Sequence, residues 1–183
     1  MTKENIITVP DPRLKQRSQK VTHIDANTLK LIEDMTSATL DWGSSRPHEV
    51  EVALAAVQIG DLRRVVIVRE DFENRENKKF KAFINPEIVK FEGEPEEDME
   101  VCLSVSDVYG KIARYPKVKV KAQDINGAVI RATATGFLAR VFQHEIDHTN
   151  GIVFLDRLED NSKLMKLEAD GSFAPMDQLG QTS

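Results

Sequence analysis

Apolar residues recurring at three- to four-residue spacing predict a first helix after Asp25. Thr28, Leu31, Met35, Ala38 and Trp42 share one face, and Asp25 or Asn27 offers the side-chain oxygen that caps a helix start. The run Gly43-Ser44-Ser45-Arg46-Pro47 then reads as a loop. Upstream, Pro10-Asp11-Pro12 reads as an extended lead-in, because proline fixes its own φ and disfavours helix just before it. Downstream, Arg64-Val65-Val66-Ile67-Val68-Arg69 is a short β-branched run and predicts a strand. Residues 71–79 form a polar connection. Phe83-Ile84 and Val89 predict another strand around the turn-like Asn85-Pro86, and the acidic stretch 92–100 reads as a solvated loop. Lys117-Val118-Lys119-Val120-Lys121 alternates as a half-buried strand does. A turn at 124–127 leads to a returning strand over 129–134. A second helix spans 136–148, with Phe137, Val141 and two histidines on adjoining turns. No internal repeat or low-complexity tract interrupts this order. Helix, several strands and helix predict an α+β fold with mixed or antiparallel sheets, not a regular βαβ alternation.

The 183 residues fit one domain over 1–183, large enough to bury a core without disulfides. Residues 159–183 form a C-terminal extension to which the pattern assigns no element. A composition of 40% apolar and 30% charged residues is that of an ordinary globular chain. With a net charge of −5, no direct nucleic-acid motif or basic tail is expected. The first residues lack the apolar core of a secretory signal, and no stretch reaches the roughly 18 apolar residues of a membrane span. One cysteine cannot form an intramolecular disulfide, so a reducing, cytoplasmic setting is expected and Cys102 is either inert or chemical.

The strongest chemical signal is His144-Glu145-Ile146-Asp147-His148. On a helix, positions i and i+4 share a face, so both imidazoles can bind one metal, while Glu145 beside them can take a proton from water. The plain alternative is a charged surface helix that happens to carry two histidines. A catalytic site usually needs a third protein ligand and one open position. No histidine follows His148. Glu168 lies in a loop-like stretch, and His23 and His48 sit in polar segments that suit surface residues. Cys102, in Glu100-Val101-Cys102-Leu103-Ser104, offers a thiolate, a strong soft ligand. Taken alone, a lone cysteine beside Leu and Val reads as a small buried hydrophobe.

Three motifs in order resemble those of the peptide deformylase family. Gln143-His144-Glu145-Ile146-Asp147-His148-Thr149-Asn150-Gly151 matches QHExDHxxG. Glu100-Val101-Cys102-Leu103-Ser104 resembles EGCLS, and Glu51-Val52-Ala53-Leu54-Ala55-Ala56-Val57-Gln58 resembles GxGLAAxQ. Pro10-Asp11-Pro12-Arg13-Leu14, Ile84-Asn85-Pro86 and Phe154-Leu155-Asp156-Arg157-Leu158 are also similar, so the resemblance covers about 6–158. It implies sheets packed around the HExxH helix and one divalent metal held by Cys102, His144 and His148. That metal would be Fe2+ in the cell, with Zn2+, Ni2+ or Co2+ able to occupy the site in preparations. The implied reaction is removal of the N-formyl group from the initiator methionine of nascent peptides. Formate is released in the course of N-terminal processing, and a position near the ribosome would follow. Glu145 would be the general base, with the Gln58 amide and the Leu103 backbone N–H donating to the oxyanion. Val52 and Ala53 would pair with the substrate backbone, and Arg114 would lie near the substrate.

The chain departs from these motifs at three glycines. Glu51 and Ala53 stand where the first motif has glycine, and Val101 replaces the glycine of the second. Glycine permits close backbone approach, so Ala53 adds a methyl, Val101 a branched side chain beside a ligand, and Glu51 a charge expected near the cleft mouth. Arg140, one turn before His144, is expected to narrow or polarise the methionine pocket. A related metalloamidase with an altered N-acyl or peptide substrate is the alternative these changes raise. A non-catalytic interaction module is a third reading, which retention of Glu145 opposes, since a structural metal site needs no base.

Overall fold

The computed structural model describes residues 1–46, 50–158, 164–167 and 172–176. Helix α1 (Ala26–Ser44) begins at Asp25, whose carboxylate accepts the Thr28 N–H at 2.9 Å. Its buried face is the expected one, with Thr28, Leu31, Met35, Ala38 and Trp42 inward. The helix runs through Gly43 and Ser44, past the expected loop start, and the Ser44 and Ser45 hydroxyls then satisfy the carbonyls of Asp41 and Trp42. Pro12–Lys15 turns as a short 3₁₀ segment capped by Asp11, where an extended lead-in was expected. Proline suits the first position of such a turn because the missing N–H would have had no partner there.

Nine strands are described: β1 (Ala53–Ala55), β2 (Val65–Arg69), β3 (Phe80–Glu92), β4 (Glu96–Cys102), β5 (Val105–Arg114), β6 (Lys117–Gln123), β7 (Val129–Thr135), β8 (Leu164–Leu167) and β9 (Phe173–Pro175). They form two antiparallel sheets of order β1-β2-β3-β6-β7 and β4-β5-β8-β9. Helix α2 (Gly136–Thr149) runs between them. The fold is α+β, as expected.

Side-chain periodicity explains the layering. In β2 every residue is buried, because Val66 and Val68 join the core under α2 while Val65 and Ile67 join the core under α1. In β6 only Val118, Val120 and Ala122 face α2, and the alternate lysines are exposed or partly so. On α2, Ala139, Phe142 and Ile146 pack on the first sheet, with Phe142 edge-on to Phe83 at 4.9 Å.

The strand expected around Asn85-Pro86 is β3, which continues through an irregularity where Asn85 takes φ 54 and the register shifts. The Asn85 side-chain amide holds this kink by bonding Val21 on both backbone atoms. Two further expectations change. The acidic stretch holds β4 rather than a loop. Strand β4 is a sheet edge, so residues 96–98 keep their side chains in water while Glu100 and Cys102 point inward. Within 159–183, β8 and β9 extend the second sheet from β5. Among the described residues, no helix is long and apolar enough to cross a membrane.

Candidate metal centre

Alternation along β4 puts Glu100 and Cys102 on one face, opposite α2, where helical spacing stacks His144 and His148. The three ligand atoms lie within 4.8 Å of one another, and all three residues are buried. His148 Nε2 is 3.2 Å from Cys102 Sγ and 3.1 Å from His144 Nε2. Bond lengths of about 2.0–2.1 Å to nitrogen and 2.3 Å to sulfur in a tetrahedral site imply ligand separations of roughly 3.3–3.6 Å. The two His148 separations are within a few tenths of an ångström of that and the third pair lies within 4.8 Å, so the donor set suits one tetrahedral divalent ion.

The carboxylate of Glu100 orients this set. Its Oε1 lies 2.6 Å from His144 Nδ1, which leaves Nε2 directed at the common point. Arg114 grips both carboxylate oxygens from Nε (3.1 Å) and Nη2 (2.7 Å), and Arg140 Nη1 reaches Oε2 at 3.3 Å. Burial alone would raise the Glu100 pKa, but His144 and Arg114 outweigh it and hold the carboxyl far below its ordinary range. Arg114 also donates to Asp147 at 2.5 Å, and Arg157 meets the same carboxylate with two bonds. Asp147 thus ties the HExxH turn to Arg114 and Arg157. The His148 pKa is also pushed below its usual value, by burial and then by the neighbouring His144, which favours the neutral imidazole.

Glu145 is buried beside the ligands and lines the same cleft. Its Oε2 has no hydrogen-bond partner among the described residues, and burial pushes the carboxyl up to about 7. Gln58 is divided between two tasks. Its Oε1 accepts the Ala55 N–H at 2.8 Å, which fixes the amide orientation. Its Nε2 then faces Ser104 Oγ at 3.1 Å and Cys102 Sγ at 3.5 Å. Leu103 lines the same cleft as Cys102 and Gln58.

The cleft is bounded by Val52 and Ala53 at the start of the edge strand β1, by Met99 and Val101 on β4, and by Phe137 and Arg140 on α2. It encloses about 120 Å³, against roughly 30 Å³ per molecule in liquid water, which is room for a small acyl group with water.

Of the residues expected to contact substrate, Val52 and Ala53 line the cleft and Arg114 does not. Its side chain is 4% exposed and its guanidinium is taken up by Glu100 and Asp147, so the substrate-contact expectation does not describe it. Glu51 is likewise absent from the cleft mouth, being buried against Arg69 at 2.6 Å. Arg140 lines the cleft, yet its donors go to the Ile112 and Glu96 carbonyls and to Glu100. Of the residues that replace glycine, Ala53 and Val101 line the cleft, Val101 being 37% exposed. His23 is on the surface as expected, whereas His48 and Glu168 lie outside the described residues. The orienting role of Glu100 was not read from the sequence. The available signal was strand alternation, which puts residues 100 and 102 on one face.

A family model for polypeptide deformylase matches residues 3–164. A peptide deformylase of Brachyspira hyodysenteriae is 42% identical over 160 residues, covering 86% of this chain and 82% of that protein. One of Thermomicrobium roseum is 40% identical, covering 90% of each. Among solved structures, a Synechococcus elongatus peptide deformylase in complex with actinonin superposes with a TM-score of 0.77 at 32% identity, over 85% of this chain and 80% of that one. A Met-Ala-Ser-bound peptide deformylase of Acinetobacter baumannii gives 0.73 at 30% identity, over 84% and 96%.

Proposed function

The chain belongs to the polypeptide deformylase family, and from that premise we propose that it hydrolyses the N-formyl group of formyl-methionyl nascent peptides with the cleft between β1, β4 and α2. The observation that carries this reading is the convergence of Cys102, His144 and His148 beside the buried Glu145 carboxyl, whose Oε2 has no partner among the described residues. We read 1–183 as one catalytic domain, working in the cytoplasm close to where new chains emerge.

Cys102, His144 and His148 would hold one divalent metal, iron(II) in the cell and zinc, nickel or cobalt in preparations, since thiolate and imidazole accept each of these. Bound there, such an ion acidifies water so that hydroxide exists near neutral pH and withdraws charge from a carbonyl oxygen. Glu145 takes the proton of the attacking water and passes it to the departing amine, without which an amide nitrogen leaves poorly. Water adds to the formyl carbon and the carbon–nitrogen bond breaks, so formate and a free methionyl amine account for every atom. The Gln58 Nε2–H and the Leu103 N–H donate to the oxygen that gains charge. One such donor typically contributes on the order of 10²–10³ in rate. Glu100 holds His144 in the tautomer that offers Nε2. The open edge of β1 at Val52 and Ala53 receives the substrate backbone as an added strand. The Met-Ala-Ser peptide bound to the Acinetobacter relative supports a cleft of this kind.

A metalloamidase with another N-acyl preference is not favoured, because the family match runs over residues 3–164 and relatives at about 40% identity over most of the chain are peptide deformylases. The experiment is formate release from a formyl-Met tripeptide by anaerobically prepared, iron- or nickel-loaded protein, beside an acetyl-Met control and Glu145→Gln. Turnover of the formyl peptide alone, lost in the variant, is expected. Loaded protein that ignores the formyl peptide would overturn the reading.

A further inference from the structure

Glu51 occupies a glycine position of the first motif, yet its side chain is 11% exposed and that of its partner Arg69 is 2% exposed. Every Arg69 donor group is engaged. Nη1 meets Glu51 Oε1 at 2.6 Å, Nε meets the Asn77 carbonyl at 2.8 Å, and Nη2 meets the Arg75 carbonyl at 2.8 Å. The Arg69 backbone N–H also donates to the Val52 carbonyl at 2.7 Å. Gly43 completes the set, since a Cβ there would fall 2.0 Å from Glu51 Oε2. The carboxylate therefore rests in the space that a helix side chain would fill.

The pair gathers the end of α1, the residues leading into β1, the end of β2 and the 71–79 connection. That connection carries Phe72, which packs edge-on to Phe137 of the cleft at 5.2 Å. Strand β1 has three residues and, among the described residues, pairs with a neighbouring strand along one edge only. A strand so short has little of its own to keep it straight, and an extended peptide pairs with it only when its backbone groups are already aligned. Glycine at position 51 would free the backbone there, whereas a buried ion pair restricts it.

We propose that Glu51 and Arg69, with the space left by Gly43, are positioning residues that hold Val52 and Ala53 in register for backbone pairing with the substrate. The proposal rests on the deformylase reading for its substrate, but its structural half is testable without turnover. In Glu51→Gly and Glu51→Gln, measured well below each protein's unfolding midpoint, backbone amides of residues 52–55 are expected to exchange hydrogen faster. Those of β6 and β7 should be unchanged. With loaded enzyme, KM for a formyl-Met tripeptide is expected to rise about 3- to 10-fold in Glu51→Gly, the equivalent of one backbone hydrogen bond, and less in Glu51→Gln. Neither kcat nor KM for formyl-methionine amide, which has no following residues to pair, should change. Unaltered exchange at 52–55 overturns the proposal, as does a loss that affects both substrates equally. Wild-type turnover of the tripeptide judges the deformylase reading separately.

Discussion

Replacing Arg114 with methionine removes a guanidinium while keeping much of its aliphatic stem. The side chain is 4% exposed, donating to Glu100 at 3.1 and 2.7 Å and to Asp147 at 2.5 Å. Removing one partner of a buried ion pair typically costs about 3–5 kcal/mol, because the other charge is left uncompensated. Neither carboxylate here is abandoned. Glu100 keeps His144 at 2.6 Å and Arg140 at 3.3 Å, and Asp147 keeps Arg157 at 2.6 and 2.7 Å. The lower end applies, about 3 kcal/mol, or roughly 6–12 °C in unfolding midpoint for a chain of this size. Glu100 orients His144, so zinc affinity should also fall about 10- to 100-fold. Urea unfolding of the metal-free proteins gives the first quantity, and competition with a chromophoric chelator gives the second. KM for a formyl-Met tripeptide should stay within about twofold, since uniform substrate binding is untouched. Wild-type stability and zinc affinity with a raised KM would refute this and return Arg114 to the substrate.

Gln58→Ala should lower kcat by about 10²–10³ with metal content unchanged, checked by steady-state kinetics beside metal analysis. Met35→Ala, at a side chain with no exposure in the core under α1, should cost about 2–5 kcal/mol in urea unfolding. Asp25 caps α1, and hydrogen bonds from the Thr28 backbone N–H and then its hydroxyl lower its pKa below 3.8. A carboxyl lowered on folding stabilises above its unfolded pKa, and that contribution is lost as pH falls through the folded value. Thermal midpoints of wild type and Asp25→Ala should therefore differ near neutral pH and converge below pH 3.8. A gap that persists unchanged into strong acid would contradict the cap.

Both helices, the β6–β7 pair and the placement of His144 and His148 on one helix face were legible because local periodicity and burial agree there. Leu31, Met35, Ala38 and Trp42 repeat as they pack, and Val118 and Val120 alternate as they face α2. Strand β4 was hidden because its acidic residues at 96–98 belong to a solvated edge, while Glu100 is buried by arginines 14 and 40 residues away. The same distance in sequence conceals what Arg114 and Glu51 do. Each reads as a surface or cleft charge until Asp147 and Arg69 are brought beside them. The kink at Asn85 mimics a turn because one left-handed residue serves both a turn and an irregular strand. Strands as short as β8 and β9 carry too few residues for alternation to register.

The proposed chemistry stands on one coordination centre, so X-ray absorption at the zinc edge of zinc-loaded protein tests it most directly. One sulfur scatterer at about 2.3 Å and nitrogen or oxygen scatterers at about 2.0–2.1 Å are expected, with the sulfur lost in Cys102→Ser. Wild-type spectra without sulfur, or sulfur that survives Cys102→Ser, would contradict the assignment of Cys102, His144 and His148.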